Sequence, residues 1–430
     1  MTPKARLSSA IDLLCAIENH PRRPADATAN QFFRDRRFIG GGDRRAISAI
    51  VWDVLRKWKR LHWHLAPIDG GASPRLLCAA SLIFSGEAVA DVARLFDGDR
   101  FAQSPLSTRE ARGLEALAGR TLDDDAMPQD VRLEYPKFLE ATLVARFGDR
   151  LEEEMRAMDA PAPLDLRVNL LKSDRASAKK NLADEQIHVT ETPLSPWGLR
   201  APSRLSVTAT AAFKDGLVEI HDEGSQLIAA CVDPQPGERI VDFCAGAGGK
   251  TLALAMLMEN RGHITACDVS SPRLEGAVKR LRRAGVHNVE RHVFTSGDKW
   301  VKRREGRFDR VLVDAPCSGS GTWRRNPDAR IHLSENDIEE LVAKQAQILD
   351  TAARLVRPGG RLVYATCSLL PAENEDQIAA FCQRHESFSL IAPEATHLPP
   401  VLRGETQFSL TPAANHTDGF FAATLVRKDA

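Results

Sequence analysis

From about residue 221 onward, short apolar strand-like runs alternate with helical patterns, and this alternation limits the fold more tightly than any other feature of the chain. Strand candidates at 239–244, 263–267, 308–313, 361–366 and 420–426 are separated by helix candidates at 251–258, 272–284, 336–356 and 375–385. Parallel strands need a long crossover, usually a helix, so the pattern predicts βαβ units and a mostly parallel sheet covered on both faces. Ligands of such sheets sit beyond the carboxyl ends of the strands. The candidate polar and thiol residues fall at those ends.

The first half of the chain reads differently. Leu7, Ile11, Leu14 and Ile17 recur at helical spacing, as do Ile47, Ile50, Val51, Val54, Leu55 and Trp58 after Asp43. The run 76–84 is apolar nearly all round and predicts a buried helix, and another helical pattern covers 108–117. Asp123, Asp124, Asp125 and Pro128 make a stretch that buries little and stops helices, so a boundary is expected there. Helical runs at 136–147 and 151–158 then lead past Pro161 and Pro163 into 164–169, whose strict alternation reads as a strand. A helix at 175–183 and short strands near Val189 and Val218 complete a small α+β module. The expected organisation is a helical domain over 1–128, a small α+β linking module over 129–220, and an α/β Rossmann-like domain over 221–430.

Lysine plus arginine balance aspartate plus glutamate at 58 each, so a polyanion partner has to be argued from where the charges sit. The segment 279–310 holds eleven lysines and arginines against four acids. Arg44, Arg45, Arg56, Lys57, Lys59 and Arg60, with Trp58 and Trp63 among them, suit either a solvated helix face or a surface that touches RNA. No apolar run approaches the roughly 18 residues of a membrane span, and Asp12 interrupts the N-terminal amphipathic pattern, so a cytoplasmic chain without membrane contact is expected, acting as a monomer. The eight cysteines are scattered singly, which supports neither a disulfide framework nor a metal site. Cys15, Cys78, Cys231, Cys267 and Cys382 read as buried small hydrophobes.

Ile240 and Val241 run straight into Asp242-Phe243-Cys244-Ala245-Gly246-Ala247-Gly248-Gly249-Lys250-Thr251. Glycines there let a ligand approach the backbone, and the helix that follows offers free N–H groups. A P-loop would need glycine where Cys244 stands, and a dinucleotide fingerprint would need one where Thr251 stands, so both fail. What remains is an acid-led turn followed by a strand closing on Asp268, about 20 residues past Gly248, where an acid holds a ribose diol. That is the arrangement of an S-adenosylmethionine site. Asp268 also suits the N-cap of the helix from 272.

Two later strands end in Asp314-Ala315-Pro316-Cys317-Ser318-Gly319 and Tyr364-Ala365-Thr366-Cys367-Ser368, which puts two thiols on one rim. Cytosine carbon 5 attacks a methyl group only after a thiolate has added to carbon 6, so its methylation needs a cysteine, a carboxyl group at ring nitrogen 3 and a base. Asp314 and the two cysteines supply those parts. The Thr322-Trp323-Arg324-Arg325-Asn326-Pro327 run after the Pro-Cys loop reads as an RNA contact by stacking and phosphate binding, or as an anchor for the next helix.

The DFCAGAGGKT, ACD, DAPCSGSG, YATCS and DGFF stretches, with HDEGSQL at 221–227, resemble the RsmB/Sun family of RNA cytosine-5 methyltransferases, and the N-terminal helices resemble the NusB-like RNA-binding domain of its bacterial RsmB branch. The resemblance covers most of the chain. It implies a class I S-adenosylmethionine-dependent methyltransferase acting on structured RNA, ribosomal small-subunit RNA above all, with tRNA, DNA or a non-catalytic assembly role as alternatives. By the family pattern Cys367 is the nucleophile, Cys317 assists product release, Asp314 contacts the base, and Lys250 points to the reacting centre. Cys244, Ala245, Gly246, Ala247, Gly248, Gly249 and Lys250, with Asp268, Arg273, Asp298 and Asp314, are the expected cofactor residues. Gly246-Ala247 stand where the family usually has Ala-Pro, Asp298 lies slightly past the family's third-strand acid, and His221 replaces a frequent Gln, with no consequence predicted.

Overall fold

The computed structural model describes residues 1–68, 71–202 and 206–429 and divides the chain into two compact units. The first comprises Met1–Pro161 with Thr322–Ser334, and the second Ala162–Gly321 with Glu335–Ala430.

The first unit is helical. Helix Pro3–Glu18 starts where Thr2 accepts a hydrogen bond from the Ala5 N–H, with Pro3 at the first position, which loses no bond there. Its stripe packs with those of Gly41–Arg56 and Pro74–Phe84 in a core of Leu7, Leu14, Ile47, Val51, Leu55 and Leu77. The expected basic helix is interrupted at Lys57, and Trp58–Leu65 continues separately. Its cations face inward partners. Arg60 is buried and pairs with Glu134, Asp123 and Asp159, while Lys59 meets Asp130 at 2.5 Å and Lys57 meets Asp53 at 2.7 Å. These ties run through Glu134 and Asp159, and the unit that holds them ends at Pro161.

The second unit holds two sheets. Strands β1 (Leu164–Val168), β2 (Thr190–Glu191), β3 (Gly198–Ala201) and β4 (Val218–Ile220) form an antiparallel sheet in the order β2-β3-β1-β4. The larger sheet contains β5 (Arg239–Asp242), β6 (His263–Asp268), β7 (Val289–Val293), β8 (Phe308–Asp314), β9 (Val356–Thr366), β10 (Phe388–Leu390), β11 (Gln407–Leu410) and β12 (Phe420–Arg427). Its order is β10-β12-β9-β8-β5-β6-β7, with β11 on β12. Strands β5 to β9 pair in parallel, and β12 closes antiparallel on β9. The chain leaves β5 toward β6 on one side and returns to β8 on the other, so the order reverses at β5, the point at which such sheets take their ligands. Their apolar residues, such as Ile240, Val241, Leu312 and Val363, are buried, as two-sided coverage requires.

Candidate active site

Beyond Asp242 the chain turns into helix Gly249–Leu257 through left-handed backbone at Gly246 (φ 53°) and Gly248 (φ 78°). A Cβ at Gly248 would come within 3.1 Å of the Ala277 Cβ, so glycine is needed for space as well as conformation. The Gly246 N–H donates to Asp268 Oδ2 at 2.8 Å, and the Ser270 N–H donates to its other oxygen at 2.8 Å. Asp268 therefore ties the end of β6 to the turn, whereas the N-cap of the following helix is Ser270.

Asp242 lies beneath this turn. The Thr251 hydroxyl donates to its Oδ2 at 2.6 Å, and Oδ1 is buried with no partner. Burial pushes the carboxyl up to about 7 against the Thr251 hydrogen bond, and the negative charge of Asp314 adds to the rise. The residues fit S-adenosylmethionine. An orphaned acceptor suits its ammonium, and Asp268, whose oxygens each have a second lone pair, suits its ribose diol.

Behind the turn stands a group the sequence reading missed. Arg167, on β1, donates to the Gly249 carbonyl and to His221 Nδ1, each at 2.8 Å. His221 Nε2 then carries the proton and meets the Ser225 hydroxyl at 2.8 Å. Burial, together with the cations of Arg167, Lys250 and Arg280, holds His221 well below the ordinary histidine value, so it is a neutral acceptor here. An apolar-polar alternation marks β1 as a strand but carries no signal of this bridge.

The ends of β8 and β9 bring the two cysteines together with Sγ atoms 3.4 Å apart, both half-buried and free of disulfides. The hydrogen bond to Cys367, burial, and the negative charges of Cys367 and Glu373 push the Cys317 thiol well up. Lys250 Nζ lies 2.7 Å from Asp314 Oδ2 and 5.6 Å from the centroid of Phe420 in the DGFF stretch. Burial opposes its charge, but Asp314, Cys367 and Asp242 outweigh that and raise its pKa, so Lys250 is a cation at neutral pH. Burial likewise pushes the Cys244 thiol up, which leaves it an inert lining residue.

Two further expected cofactor residues lie on the segments that follow β6 and β7. Arg273 is exposed on helix Ser271–Ala284. The carboxylate of Asp298 meets His292 Nε2 at 2.6 Å and the Trp300 N–H at 2.8 Å; partial burial would raise its pKa, but these partners lower it. Trp323 and Arg324 are buried, so Trp323 has no face open to a base, while Arg325 is half-buried and Asn326 exposed; the run belongs to the first unit. Arg310, counted in the basic segment, is buried against Glu238 at 2.7 Å, and Arg283 pairs with Glu219.

A family model described as 16S rRNA methyltransferase RsmB/F matches residues 229–426, and one described as the ferredoxin-like domain of RsmF/B-like methyltransferases matches residues 135–208. The chain is 35% identical over 321 residues to the probable ribosomal RNA small subunit methyltransferase B of Synechocystis sp., an alignment that covers 74% of this chain and 72% of the relative. Among solved structures, a methyltransferase homologue from Pyrococcus horikoshii is 33% identical with a TM-score of 0.59, over 70% of this chain and 97% of that one. The crystal structure of PH0851 is 26% identical with a TM-score of 0.80 over 99% of each chain. The chain therefore belongs to the RsmB/F family of methyltransferases.

Proposed function

We propose that the chain methylates carbon 5 of an unpaired cytosine in small-subunit ribosomal RNA through a covalent cysteine–cytosine intermediate. The observation that carries this reading is the pair of thiols 3.4 Å apart at the ends of adjacent parallel strands, beside the Lys250–Asp314 pair. S-adenosylmethionine supplies an electrophilic methyl group, and residues 244–250 with Asp242 and Asp268 would hold it. The proton of the Cys367 thiol passes by way of Asp314 to ring nitrogen 3 as the sulfur adds to carbon 6, which makes carbon 5 nucleophilic. Cys317, whose raised pKa keeps its proton in place, donates to the Cys367 sulfur. After methyl transfer the carbon-5 proton passes to solvent water as the bond from carbon 6 to Cys367 breaks, and the departing sulfur, hydrogen-bonded by Cys317, takes back the proton held on ring nitrogen 3 by way of Asp314. The Lys250 cation steadies the negative charge on Asp314 and Cys367.

The ring has to meet both thiol and methyl donor, which a stacked base cannot do, so the target is single-stranded or flipped. Small-subunit ribosomal RNA as substrate is supported by the family model and by the name of the Synechocystis relative. Incubated with this RNA and S-adenosylmethionine, Cys317→Ala should accumulate a covalent protein–RNA adduct on denaturing gels, and Cys367→Ala should give neither adduct nor product. An adduct from Cys367→Ala would exchange the two roles. Absence of any 5-methylcytosine from the wild-type reaction by bisulfite sequencing would remove the reading altogether.

A further inference from the structure

Glu373 is fully buried, in the short helix Pro371–Glu373, close to the thiols but touching neither. Its carboxylate receives four donors. Oε1 accepts from the Ser318 N–H at 2.8 Å and from Gln345 Nε2 at 3.0 Å; Oε2 accepts from the Ser318 hydroxyl at 2.5 Å and from the Ser368 hydroxyl. Four is the full complement of an acceptor-only carboxylate. Ser318 follows Cys317 and Ser368 follows Cys367, so one side chain grips the residue next to each thiol. The grip is itself held, because the Tyr364 hydroxyl donates to the Glu373 carbonyl at 2.7 Å and Asn374 Nδ2 donates to the Ser368 carbonyl at 2.9 Å. Gln345 also donates to the Pro316 carbonyl at 3.0 Å, which bounds the Pro-Cys loop on its other side.

We propose that Glu373 is the positioning residue of this site: it sets the separation of the Cys317 and Cys367 sulfurs by clamping the serine beside each. The two cysteines sit on loops beyond the last ladder bonds of β8 and β9, where Cys367 keeps a single backbone bond, from the Gly321 N–H, and no ladder pair joins the two. A shared, charge-assisted hydrogen-bond partner replaces that pairing. The catalytic consequence rests on the cysteine roles proposed above; the geometric one does not.

The test therefore reads the sulfur separation without RNA or cofactor. The intact protein is treated with diamide, whose diazene bond takes two electrons and two protons from the thiols and becomes a hydrazine as the Cys317–Cys367 disulfide forms. Peptide mass spectrometry follows the rate. Glu373→Ala should form that disulfide at least about tenfold more slowly, as expected when a preorganised pair loses its effective concentration. Glu373→Gln keeps one acceptor oxygen, and the serine hydroxyls can turn to accept from its amide, so it should recover most of the rate. In RNA methylation the same series should move kcat and leave the KM for RNA unchanged. If Glu373→Ala does not fold, the Ser318→Ala/Ser368→Ala pair replaces it with the same expected slowing. A disulfide rate equal to wild type in the folded variant overturns the proposal. Failure of Cys317→Ala to trap RNA, with a slowed disulfide in Glu373→Ala, would instead remove the cytosine chemistry and leave the clamp standing.

Discussion

Asp242 holds a proton that an exposed aspartate would have lost. Its native pKa of about 7 lies above the unfolded value near 4, so between these the native state binds more protons than the unfolded one. This carboxyl therefore stabilises the fold most at low pH, and that contribution fades as pH rises through about 7. Asp242→Asn, which cannot ionise, should show a melting temperature that falls less than the wild type's between about pH 5 and pH 8. An asparagine whose oxygen accepts from Thr251 offers an amide where the orphaned Oδ1 stood. Calorimetry should then find S-adenosylmethionine bound about ten- to a hundredfold more weakly, the size of one lost charge-assisted hydrogen bond.

Between elements, close backbone contact does what side chains do elsewhere. Gly321, after β8, and Gly419, before β12, cross so tightly that a Cβ at Gly321 would lie 2.3 Å from the Gly419 carbonyl oxygen. The Gly419 N–H donates to the Gly321 carbonyl at 2.7 Å, and the Gly321 N–H donates to the Cys367 carbonyl at 2.9 Å. Gly321→Ala must part these segments, at a cost of about 1–3 kcal/mol for the overpacking, read as a lower midpoint in thermal melts. Because the Cys367 loop is one of the three, methyl transfer should fall more than stability alone explains. Arg167 links β1 to helix Gly249–Leu257 in a different way, through its guanidinium. Arg167→Met leaves the Gly249 carbonyl and the His221 ring without their donor. Stability should drop by about 1–3 kcal/mol, with weaker cofactor binding by calorimetry, since the disturbed carbonyl belongs to the first residue after the turn.

At the scale of the whole molecule, chain order and packing part company. Residues 322–334 come from the middle of the α/β sequence pattern yet belong to the helical unit. There the Ala25 N–H donates to Asp328 Oδ2 at 2.9 Å and Arg330 pairs with Asp159 at 2.8 Å. Asp159 also meets Arg60 at 2.6 Å, and Arg60 meets Glu134 at 3.0 Å, so one ionic cluster joins three distant stretches. Burial pushes the Glu134 carboxyl up in spite of Arg330 and Arg60. Arg60→Met would leave Glu134 with only the Lys59 and residue-60 backbone N–H groups as hydrogen-bond donors and strip one side of Asp159, and the intact chain should lose about 3–5 kcal/mol, seen as a lower urea midpoint. Arg60→Lys should not restore it, because an ammonium cannot serve three carboxylates in the geometry of a planar fork.

Much of this was legible beforehand. The stripe through Ile47 and Val51, the alternation at 164–169, the strands from 239, 263, 308 and 361 to within two residues of their ends, and the pairing of Cys317 with Cys367 on one rim follow from hydrophobic period and parallel topology, which are local or nearly so. Helix Ala25–Asp35 and strand β7 were missed, the first because polar residues dilute its stripe and the second because only its ends are apolar. The sequence by itself determined where the glycine turn and the two thiols lie, since a glycine turn and a cysteine at a strand's carboxyl end carry their meaning in the neighbouring residues. Only the tertiary structure decided which buried polar groups share a partner, Glu373 with Ser318, Arg167 with Gly249 and Arg60 with Glu134, and that Trp323 and Arg324 are buried. A buried donor or acceptor must find a partner, but sequence spacing does not say which distant residue supplies it.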